Sequence, residues 1–387
     1  MVRAQKKRRI LVITGSRGEY GYIRPVLKLI EHSGILEPEV LVTNMHLIPE
    51  FGNTIAEFEK DGIPVDYRIF MALSGYTNVT MLKSLGVFLL SLGDILENRP
   101  PDIILLAGDR GEQLIGAMAG AHMNIPVAHI QAGEVSGNID GLSRHAIARF
   151  THIHLAPNED AAQRLIRSGE QEFRVFNVGA PQLDEFLAGH IAKPEEIAEA
   201  FSLDLTKGII LVVQHPVTEQ ADMAAFQMTE TMMALAAFND YQIVIIYPNN
   251  DAGSVAIQKC IQNNRHINIR VERSVSREVY GGLLNVASVL VGNSSSGIIE
   301  APSFKLPVVN IGRRQEGRFR GDNVIDVEHH EAETIEKAIR HALSPDFVMS
   351  LEKSENPHGD GHSSERIVKI LETIPIDEKL LYKKITF

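Results

Sequence analysis

Three acidic side chains in the first half of the chain could carry out acid–base chemistry: Asp109, Glu134 and Asp140. Each comes at or soon after the end of a short apolar run that we predict to be a strand. Carboxylates that lie close together raise one another's pKa, so that one can serve as acid and another as base near neutral pH. Taken singly, each is more often a turn former or a helix cap. Basic residues at comparable positions make a joint site the better interpretation, namely His46, Arg110, His129, Arg144 and His145.

The string Gly-Asn-Ser-Ser-Ser-Gly at 292–297 predicts a phosphate site. Gly292 permits unusual backbone angles, and the serines offer hydroxyls and amides where a helix would begin, which suits an anion. A serine N-cap without a ligand is the simpler alternative. Glu300, one turn later, could accept from ribose hydroxyls, and Arg313 or Arg314 could meet a base or phosphate. The candidate contacts are therefore His215, Asn293, Ser294, Ser295, Ser296, Glu300 and Arg314.

Other motifs are weaker or absent from the sequence. The turn 15–18, Gly-Ser-Arg-Gly, is not GxGxxG, and no Walker A string occurs. His152 and His154 alternate within a predicted strand, but without a third ligand they are better interpreted as structural histidines. The pair His358 and His362 flanks a glycine-bearing loop to which we assign no chemistry.

Composition narrows the class of protein. The 387 residues contain 38 Lys and Arg against 49 Asp and Glu, a net charge of −11, which makes the chain a poor nucleic-acid binder. Cys260 is the only cysteine, so an intramolecular disulfide and a cysteine metal cluster are excluded. A single cysteine also fits a protein of the reducing cytoplasm. No apolar run reaches about 18 residues, so we expect no membrane span.

Short β-branched runs alternate with helical patterns, which predicts parallel sheets covered by helices on both faces. The predicted strands are 9–14, 39–43, 102–107, 126–130, 152–156, 174–177, 208–213, 242–247, 267–270, 288–291 and 307–310. The predicted helices include 22–31, 78–97, 111–122, 158–169, 223–238, 334–343 and 363–371.

A break at 179–196, with two prolines and Gly189, separates the two strand series. We therefore expect two doubly wound domains facing a cleft, with boundaries at 1–180 and 181–362, followed by a helix and tail at 363–387. Ligands of such sheets bind beyond the carboxyl ends of the strands, where the polar residues above fall.

Several strings resemble the hydrolysing UDP-N-acetylglucosamine 2-epimerases, in order and mostly in register from about residue 9 to about residue 324. They are Thr14-Gly15-Ser16-Arg17, Gly108-Asp109-Arg110, Gly133-Glu134-Val135-Ser136-Gly137 followed by Ile139-Asp140, Arg144-His145-Ala146-Ile147, Gln214-His215-Pro216-Val217-Thr218, Pro248-Asn249-Asn250-Asp251-Ala252-Gly253-Ser254, Gly292-Asn293-Ser294-Ser295 and Gly312-Arg313-Arg314-Gln315. Together they are far more specific than any one glycine loop.

The resemblance implies a GT-B-like fold with two Rossmann-type domains, and anti elimination of UDP through 2-acetamidoglucal followed by hydration to N-acetylmannosamine. It implies no cofactor and no metal, a cytoplasmic homo-oligomer (dimer or tetramer), and a role in making sialic-type acids. Asp109, Glu134 and Asp140 match the catalytic carboxylates. The positions matching UDP contacts are Arg17, His215, Asn249, Ser294, Ser295, Glu300 and Arg314, and those matching sugar contacts are Arg110, His129 and His145.

The sequence departs from the family's pattern at two positions, and several alternative functions are compatible with it. Gln131 and Ala107 stand where some relatives have an acidic residue and a histidine, and a neutral glutamine cannot be a general base. Within the family, a non-hydrolysing epimerase is one alternative, and an enzyme acting on UDP-N,N'-diacetylbacillosamine for legionaminic acid synthesis is another. Outside it, the same fold serves glycosyltransferases, and a non-catalytic UDP-sugar-binding protein would bind without turnover.

Overall fold

The computed structural model describes residues 7–49, 54–74, 78–135, 139–248, 252–264 and 268–386, with the backbone alone at 78, 139 and 140. The described chain divides into two compact units. The first comprises the residues up to 135, then Ile139–Asp184, and then the chain from His358 onward, whereas the second comprises Glu185–Pro357. The chain therefore returns to the first unit at His358.

The first unit is built on a seven-stranded sheet in which every described pair of neighbours is parallel. Its strands are β1 (Arg8–Thr14), β2 (Leu36–Thr43), β3 (Tyr67–Ile69), β4 (Ile103–Ala107), β5 (Val127–Ile130), β6 (Ile153–Ala156) and β7 (Val175–Asn177). The order β3-β2-β1-β4-β5-β6-β7 changes direction between β1 and β4. That switch point is where ligands of open parallel sheets bind.

The second unit repeats this plan with six parallel strands. They are β8 (Ile209–Val213), β9 (Gln242–Ile246), β10 (Ile269–Glu272), β11 (Val289–Gly292), β12 (Val308–Ile311) and β13 (Val324–Val327). The order β10-β9-β8-β11-β12-β13 places its switch point between β8 and β11.

Helices cover both faces of each sheet. They are α1 (Arg17–His32), α2 (Ala56–Lys60), α3 (Asn78–Asn98), α4 (Gly111–His122), α5 (Ile139–Phe150), α6 (Glu159–Arg167), α7 (Asp184–Leu187), α8 (Pro194–Phe201), α9 (Ala224–Leu235), α10 (Ser254–Asn263), α11 (Arg277–Val286), α12 (Ser296–Ile299), α13 (Ala332–Ala342), α14 (Pro345–Ser350), α15 (Ser363–Thr373) and α16 (Glu378–Leu381). Alternate residues of β1 serve opposite faces, because side chains along a strand alternate. Ile10 and Val12 lie in the core with Ile23 of α1, whereas Leu11 and Ile13 lie in the core with Phe88 of α3.

The prediction of two α/β units with parallel sheets is confirmed, and the predicted strands agree with the observed ones to within a few residues. Two strands were missed, β3 and β13, which are short and only partly buried edge strands. The predicted closing helix corresponds to α15, whose Ile367 and Leu371 pack in the core beside α1.

Helix α3 bears on the expectation that no segment spans a membrane. Among the described residues, one helix is long and apolar enough by length and composition, with a mean hydropathy of 1.7 over Val79–Asn98 and 22% of the window buried. The sequence rule missed it because Lys83 and two glycines interrupt the apolar run. Its exposed side chains include Leu82 and Leu90.

Candidate active site

Two loops with similar sequences meet at the switch point of the first unit. Gly-Ser-Arg-Gly-Glu, 15–19, follows β1, and Gly-Asp-Arg-Gly-Glu, 108–112, follows its neighbour β4. Each string ends in a glutamate, Glu19 or Glu112, that is 2% exposed. Neither glutamate was predicted from the sequence. The repeated G-x-R-G-E pattern after two strands is the signal that could have found them.

Glu19 closes the first of these loops. Its Oε2 accepts from the backbone N–H of Gly15 at 2.6 Å and of Ser16 at 3.1 Å, and the Ser16 side chain caps α1 in return. Its Oε1 is buried without a hydrogen-bond partner among the described residues. Burial, and then the neighbouring Glu112 carboxylate, raise the pKa of Glu19 well above its ordinary value. Burial thus favours the protonated form of Glu19, and the hydrogen bonds from the loop oppose that shift.

Glu112 closes the second loop and occupies the space beside Gly15. Its Oε1 accepts from Nδ2 of Asn44 at 3.1 Å and lies 3.6 Å from Nε of Arg110. A Cβ placed on Gly15 would stand 2.0 Å from that oxygen, so a larger residue at 15 would displace the carboxylate. The two loops are thus locked together through Gly15.

Asp109 is held by Arg144, which reaches it from α5. One guanidinium nitrogen of Arg144 pairs with the Asp109 carboxylate, and the other donates to the Gln131 carbonyl at 2.9 Å. His129 donates from Nε2 to the Gly108 carbonyl at 2.6 Å, and burial lowers its pKa to about 3. A neutral His129 therefore fixes the backbone that presents Asp109.

Glu134 lies beyond β5 after a turn that requires special backbone angles. Gln131 has φ 65° and Gly133 has φ 78°, and a Cβ on Gly133 would lie 2.4 Å from the Ala161 carbonyl oxygen. The Glu134 side chain is 1% exposed, and its Oε1 accepts from Nδ2 of Asn158 at 3.0 Å. Asp109 and Glu134 are thus presented by neighbouring strands and held by different partners. Asn158 was not predicted as a site residue.

The remaining predicted residues of the first unit are placed differently. His46 is fully buried, with its ring nitrogens near the hydroxyls of Thr14 at 3.0 Å and Thr54 at 2.7 Å, and burial lowers its pKa to about 4. Arg17 begins α1 and is exposed, and Arg110 is partly exposed beside Glu112. His145 is exposed on α5, and its pKa is lowered by partial burial and by three neighbouring arginines. The side chain of Asp140, at the start of α5, lies outside the described residues, as does all of Asn249.

At the switch point of the second unit, Asn293 holds the loop after β8. Its Oδ1 accepts from the His215 N–H at 2.7 Å, and its Nδ2 donates to the His215 carbonyl at 2.9 Å. Its own carbonyl accepts from Arg314 at 3.1 Å and Gln315 at 2.9 Å. Asn293 is 1% exposed and therefore positions His215 and Arg314 rather than facing solvent.

The serine string leads into α12, which has only four residues. Oγ of Ser296 contacts the hydroxyl of Tyr280 and lies 3.3 Å from Oγ of Ser294, whereas Ser295 makes no side-chain cap. Glu300 is buried, which raises its pKa, and the nearby Arg277 and Arg318 oppose that shift. The predicted residues of this string and Glu300 are therefore neighbours in one unit.

Among the described residues, no group of three or more His, Cys, Asp or Glu side chains could hold a metal ion. His152 and His154 are buried, and the latter lies 2.9 Å from a carboxylate oxygen of Glu170. Burial lowers the pKa of each histidine to about 4.

Comparison with known proteins identifies close sequence relatives. A family model described as UDP-N-acetylglucosamine 2-epimerase matches residues 28–372. The UDP-N,N'-diacetylbacillosamine 2-epimerase (hydrolyzing) of Legionella pneumophila is 39% identical over 377 residues, covering 97% of this chain and 98% of that protein. The UDP-N-acetylglucosamine 2-epimerase of Neisseria meningitidis is 34% identical over 338 residues, covering 87% and 88%. The polysialic acid biosynthesis protein P7 of Escherichia coli is 32% identical, covering 94% and 93%.

Solved structures agree on the fold. A UDP-N-acetylglucosamine 2-epimerase from Neisseria meningitidis, bound to UDP-GlcNAc, superposes with a TM-score of 0.82 at 19% identity, covering 94% of this chain and 99% of that chain. A 2-epimerase homologue from Listeria monocytogenes gives a TM-score of 0.81 at 18% identity, covering 95% and 96%. The two parallel-sheet units are thus of the GT-B-like type.

Proposed function

The chain belongs to the UDP-N-acetylglucosamine 2-epimerase family, and we propose that it is a hydrolysing 2-epimerase of a UDP-2-acetamido sugar. UDP-N-acetylglucosamine is the first candidate substrate, with N-acetylmannosamine and UDP as products. The product would feed the synthesis of sialic-type acids, in line with the printed name of the Escherichia coli relative, a polysialic acid biosynthesis protein. We propose the cytoplasm as the location.

One observation carries this proposal: Asp109 and Glu134, in the loops that follow two neighbouring strands, both accept hydrogen bonds through their carboxylates. Arg144 pairs with Asp109, and Asn158 donates to Glu134. Both contacts favour the ionised carboxylate, which is the form that a proton acceptor needs. Asp140 is retained as the third catalytic candidate.

The proposed reaction is an anti elimination followed by hydration. A carboxylate takes the proton from C2, the C1–C2 double bond forms, and the C1–O bond breaks with its electron pair leaving on UDP. Water then adds a hydroxyl to C1 and a proton to C2. The new proton arrives on the face of C2 opposite to the one from which the first proton was removed. The sum is one UDP-sugar and one water giving one UDP and one sugar of inverted C2, with no cofactor consumed.

The second unit is proposed to hold UDP. Donors suited to a diphosphate leaving group are Arg314 and the serines 294–296, and Glu300 would accept from the ribose hydroxyls. Asn293 sets the positions of Arg314 and His215. We propose Arg17 and Asn249 as further UDP contacts, and Arg110, His129 and His145 as residues that line or support the sugar site.

UDP-N,N'-diacetylbacillosamine is the second candidate substrate, because the Legionella pneumophila relative at 39% identity carries that substrate in its name. The two sugars differ at C4, where an acetamido group replaces a hydroxyl, and at C6, where a methyl replaces a hydroxymethyl. Neither difference alters the chemistry at C1 and C2, so the same carboxylates would serve both.

Parallel assays of the two UDP-sugars, with product identification by NMR, test the proposal. We expect UDP release and a C2-inverted 2-acetamido sugar from one substrate at least tenfold faster than from the other. Release of UDP only when an acceptor sugar is added would indicate a glycosyltransferase instead. Binding of both UDP-sugars without any product would indicate a non-catalytic binding protein.

We also propose a homo-oligomer formed through α3. At 100° per residue, Val79, Gly86 and Leu90 share one stripe of this helix, with Lys83 and Asp94 along one side of it. Leu82 and Leu90 are 72% and 77% exposed, and a Cβ on Gly86 would meet nothing within 4 Å. Two antiparallel copies about a twofold axis near position 88 would set Gly86 against the partner's Leu90 and Lys83 against the partner's Asp94. The stripe is therefore self-complementary in both shape and charge.

The proposed interface is tested by exchanging the charges at positions 83 and 94 and measuring dimer dissociation by sedimentation equilibrium. Lys83→Asp should weaken the dimer at least tenfold, and the double variant K83D/D94K should restore it. Met349→Glu, at an exposed apolar residue of the second unit, should leave it unchanged. A wild-type chain that is monomeric at micromolar concentration, or that floats with liposomes through α3, would contradict the proposal.

A further inference from the structure

Asn158 uses its whole side-chain amide in three contacts. It is the N-cap of α6, where its Oδ1 accepts from the Ala161 N–H at 2.8 Å. Its Nδ2 lies 3.0 Å from Oε1 of Glu134 and 3.2 Å from Nδ1 of His358. Because the oxygen is committed to the cap, the NH2 group must face the other two partners. Asn158 therefore donates one hydrogen to Glu134 and one to His358.

The same reasoning fixes the state of His358. An Nδ1 that accepts from an NH2 group carries no proton, so a neutral ring carries its hydrogen on Nε2. The ring is fully buried, and its backbone carbonyl accepts from the Ala180 N–H at 2.7 Å. His358 is also the residue at which the chain re-enters the first unit. Its placement is therefore held by main-chain and side-chain contacts together.

An N-cap alone does not need this arrangement. Serine, threonine or aspartate would cap α6 comparably, but asparagine alone among these four capping residues offers a capping oxygen together with two N–H donors. Those donors meet a carboxylate and a histidine that lies 200 residues away in the chain. The choice of asparagine is thus explained by the buried contacts rather than by the helix.

We propose that Asn158 and His358 are positioning residues that hold Glu134 as an oriented, ionised proton acceptor for the elimination. His358 orients the Asn158 amide, and the amide then directs one hydrogen bond at Oε1 of Glu134. This inference rests on the proposed 2-epimerase function. In this proposal Glu134 is the base that removes the C2 proton. Asp109 and Asp140 then remain for assisting the departure of UDP and for the hydration step.

Two arginines lie around this contact, and they donate to backbone carbonyls and to other carboxylates. Arg164 of α6 donates to the carbonyl of Gly133 at 2.7 Å, and Arg144 of α5 donates to that of Gln131. Arg164 is also paired with Asp160, and Arg144 is paired with Asp109. Both cations are thus paired with other carboxylates, whereas the hydrogen bond from Asn158 reaches Oε1 of Glu134 directly.

Asn158→Asp is the sharpest test, because aspartate keeps the cap and replaces the donor with an oxygen that faces Glu134. We expect kcat to fall at least tenfold, KM to change less than about threefold, and the acid limb of the kcat/KM profile to move to higher pH by about one unit. UDP binding should stay near wild type, and the melting temperature should fall by a few degrees, because two buried carboxylates then face each other. Ser344→Ala, which removes the side-chain cap of α14 in the second unit, should leave kcat and the pH profile at wild-type values.

A second pair of variants keeps the test independent of Asn158. Asparagine at 358 can present an oxygen near the place of Nδ1, so His358→Asn should retain much more turnover than His358→Leu. Equal activity of these two, or an Asn158→Asp enzyme with wild-type kcat and an unchanged pH profile, would overturn the inference. A wild-type enzyme that turns over neither UDP-sugar would instead overturn the proposed function, so the two failures are distinguishable.

Discussion

Arg144 joins Asp109, at the end of β4, to the carbonyl of Gln131, at the end of β5, through two nitrogens of one guanidinium group. The contact spans adjacent strands and originates on α5, so it fixes the spacing of the two loops that present Asp109 and Glu134. A planar group with several donors suits this geometry.

Lysine at position 144 should not replace the arginine, because one ammonium on a flexible stem cannot maintain both contacts. We expect Arg144→Lys to lower kcat by about 10- to 100-fold while UDP binding measured by calorimetry stays within about twofold. Arg149→Lys, on the same helix but paired with Glu170, is the matched control and should remain active. If UDP binding fell in parallel with kcat, Arg144 would belong to nucleotide recognition instead.

Gly15 and Gly18 provide a matched pair in the loop after β1. A Cβ on Gly15 would collide with Glu112, whereas a Cβ on Gly18 would find its nearest neighbour, Oγ of Ser16, at 4.0 Å. We expect Gly15→Ala to cost about 1–3 kcal/mol in the free energy of unfolding and to reduce kcat, because the carboxylate must move. Gly18→Ala, in the first turn of α1, should be neutral or stabilising. Urea unfolding of both variants would show whether the lock through Gly15 exists.

Buried neutral histidines should make the protein sensitive to acid. Burial lowers the pKa of His46, His152 and His154 to about 4 and that of His129 to about 3. The unfolded chain binds these protons near pH 6.5, so the stabilisation is present above that pH and is lost as the pH falls toward 4. Each histidine contributes at most about 2 kcal/mol to the difference between pH 7.5 and pH 5.

His46→Asn should therefore flatten the dependence of unfolding free energy on pH, as measured by urea titration at the two pH values. His190→Asn, at an exposed position, should leave the slope as it is in the wild type. An unchanged slope for His46→Asn would mean that His46 is protonated in the folded protein.

The carboxyl-terminal segment is fastened to the first unit by Arg174. This fully buried side chain donates to the backbone carbonyls of Lys379, Leu380 and Tyr382. Arg174→Met should lower the free energy of unfolding by about 3 kcal/mol, since it leaves buried carbonyls without their donor. Limited proteolysis should then release the tail. In the control variant Arg167→Met, at an exposed site on α6, the tail should resist the protease as it does in the wild type.

The sequence was sufficient to predict the sheets, because their central strands are apolar runs bounded by glycine or proline. β1, β4, β8 and β11 are examples. β3 and β13 escaped because three or four partly exposed residues at a sheet edge carry no such pattern. Edge strands depend on pairing with a neighbour more than on their own composition.

The residues of the candidate site that follow a strand were the most readily predicted. Asp109 and Glu134 satisfy that rule, and the structure places both at the carboxyl ends of neighbouring strands. Asn158 also follows a strand, β6, but its position predicts only the N-cap of α6, and His358 follows no strand. The role of both residues arises from a contact across 200 residues of chain that no local pattern encodes. His46 satisfied the rule but is buried, since aromatic neighbours Tyr20 and Phe58 enclose its ring.

Turnover in deuterated water tests the central claim most directly, because proton removal at C2 followed by hydration must bring in hydrogen from solvent. With UDP-N-acetylglucosamine or its diacetylbacillosamine counterpart, we predict release of UDP and a C2-inverted sugar carrying one deuterium at C2, seen by NMR and mass spectrometry. A released sugar whose C2 keeps its original hydrogen would contradict elimination and hydration by this site.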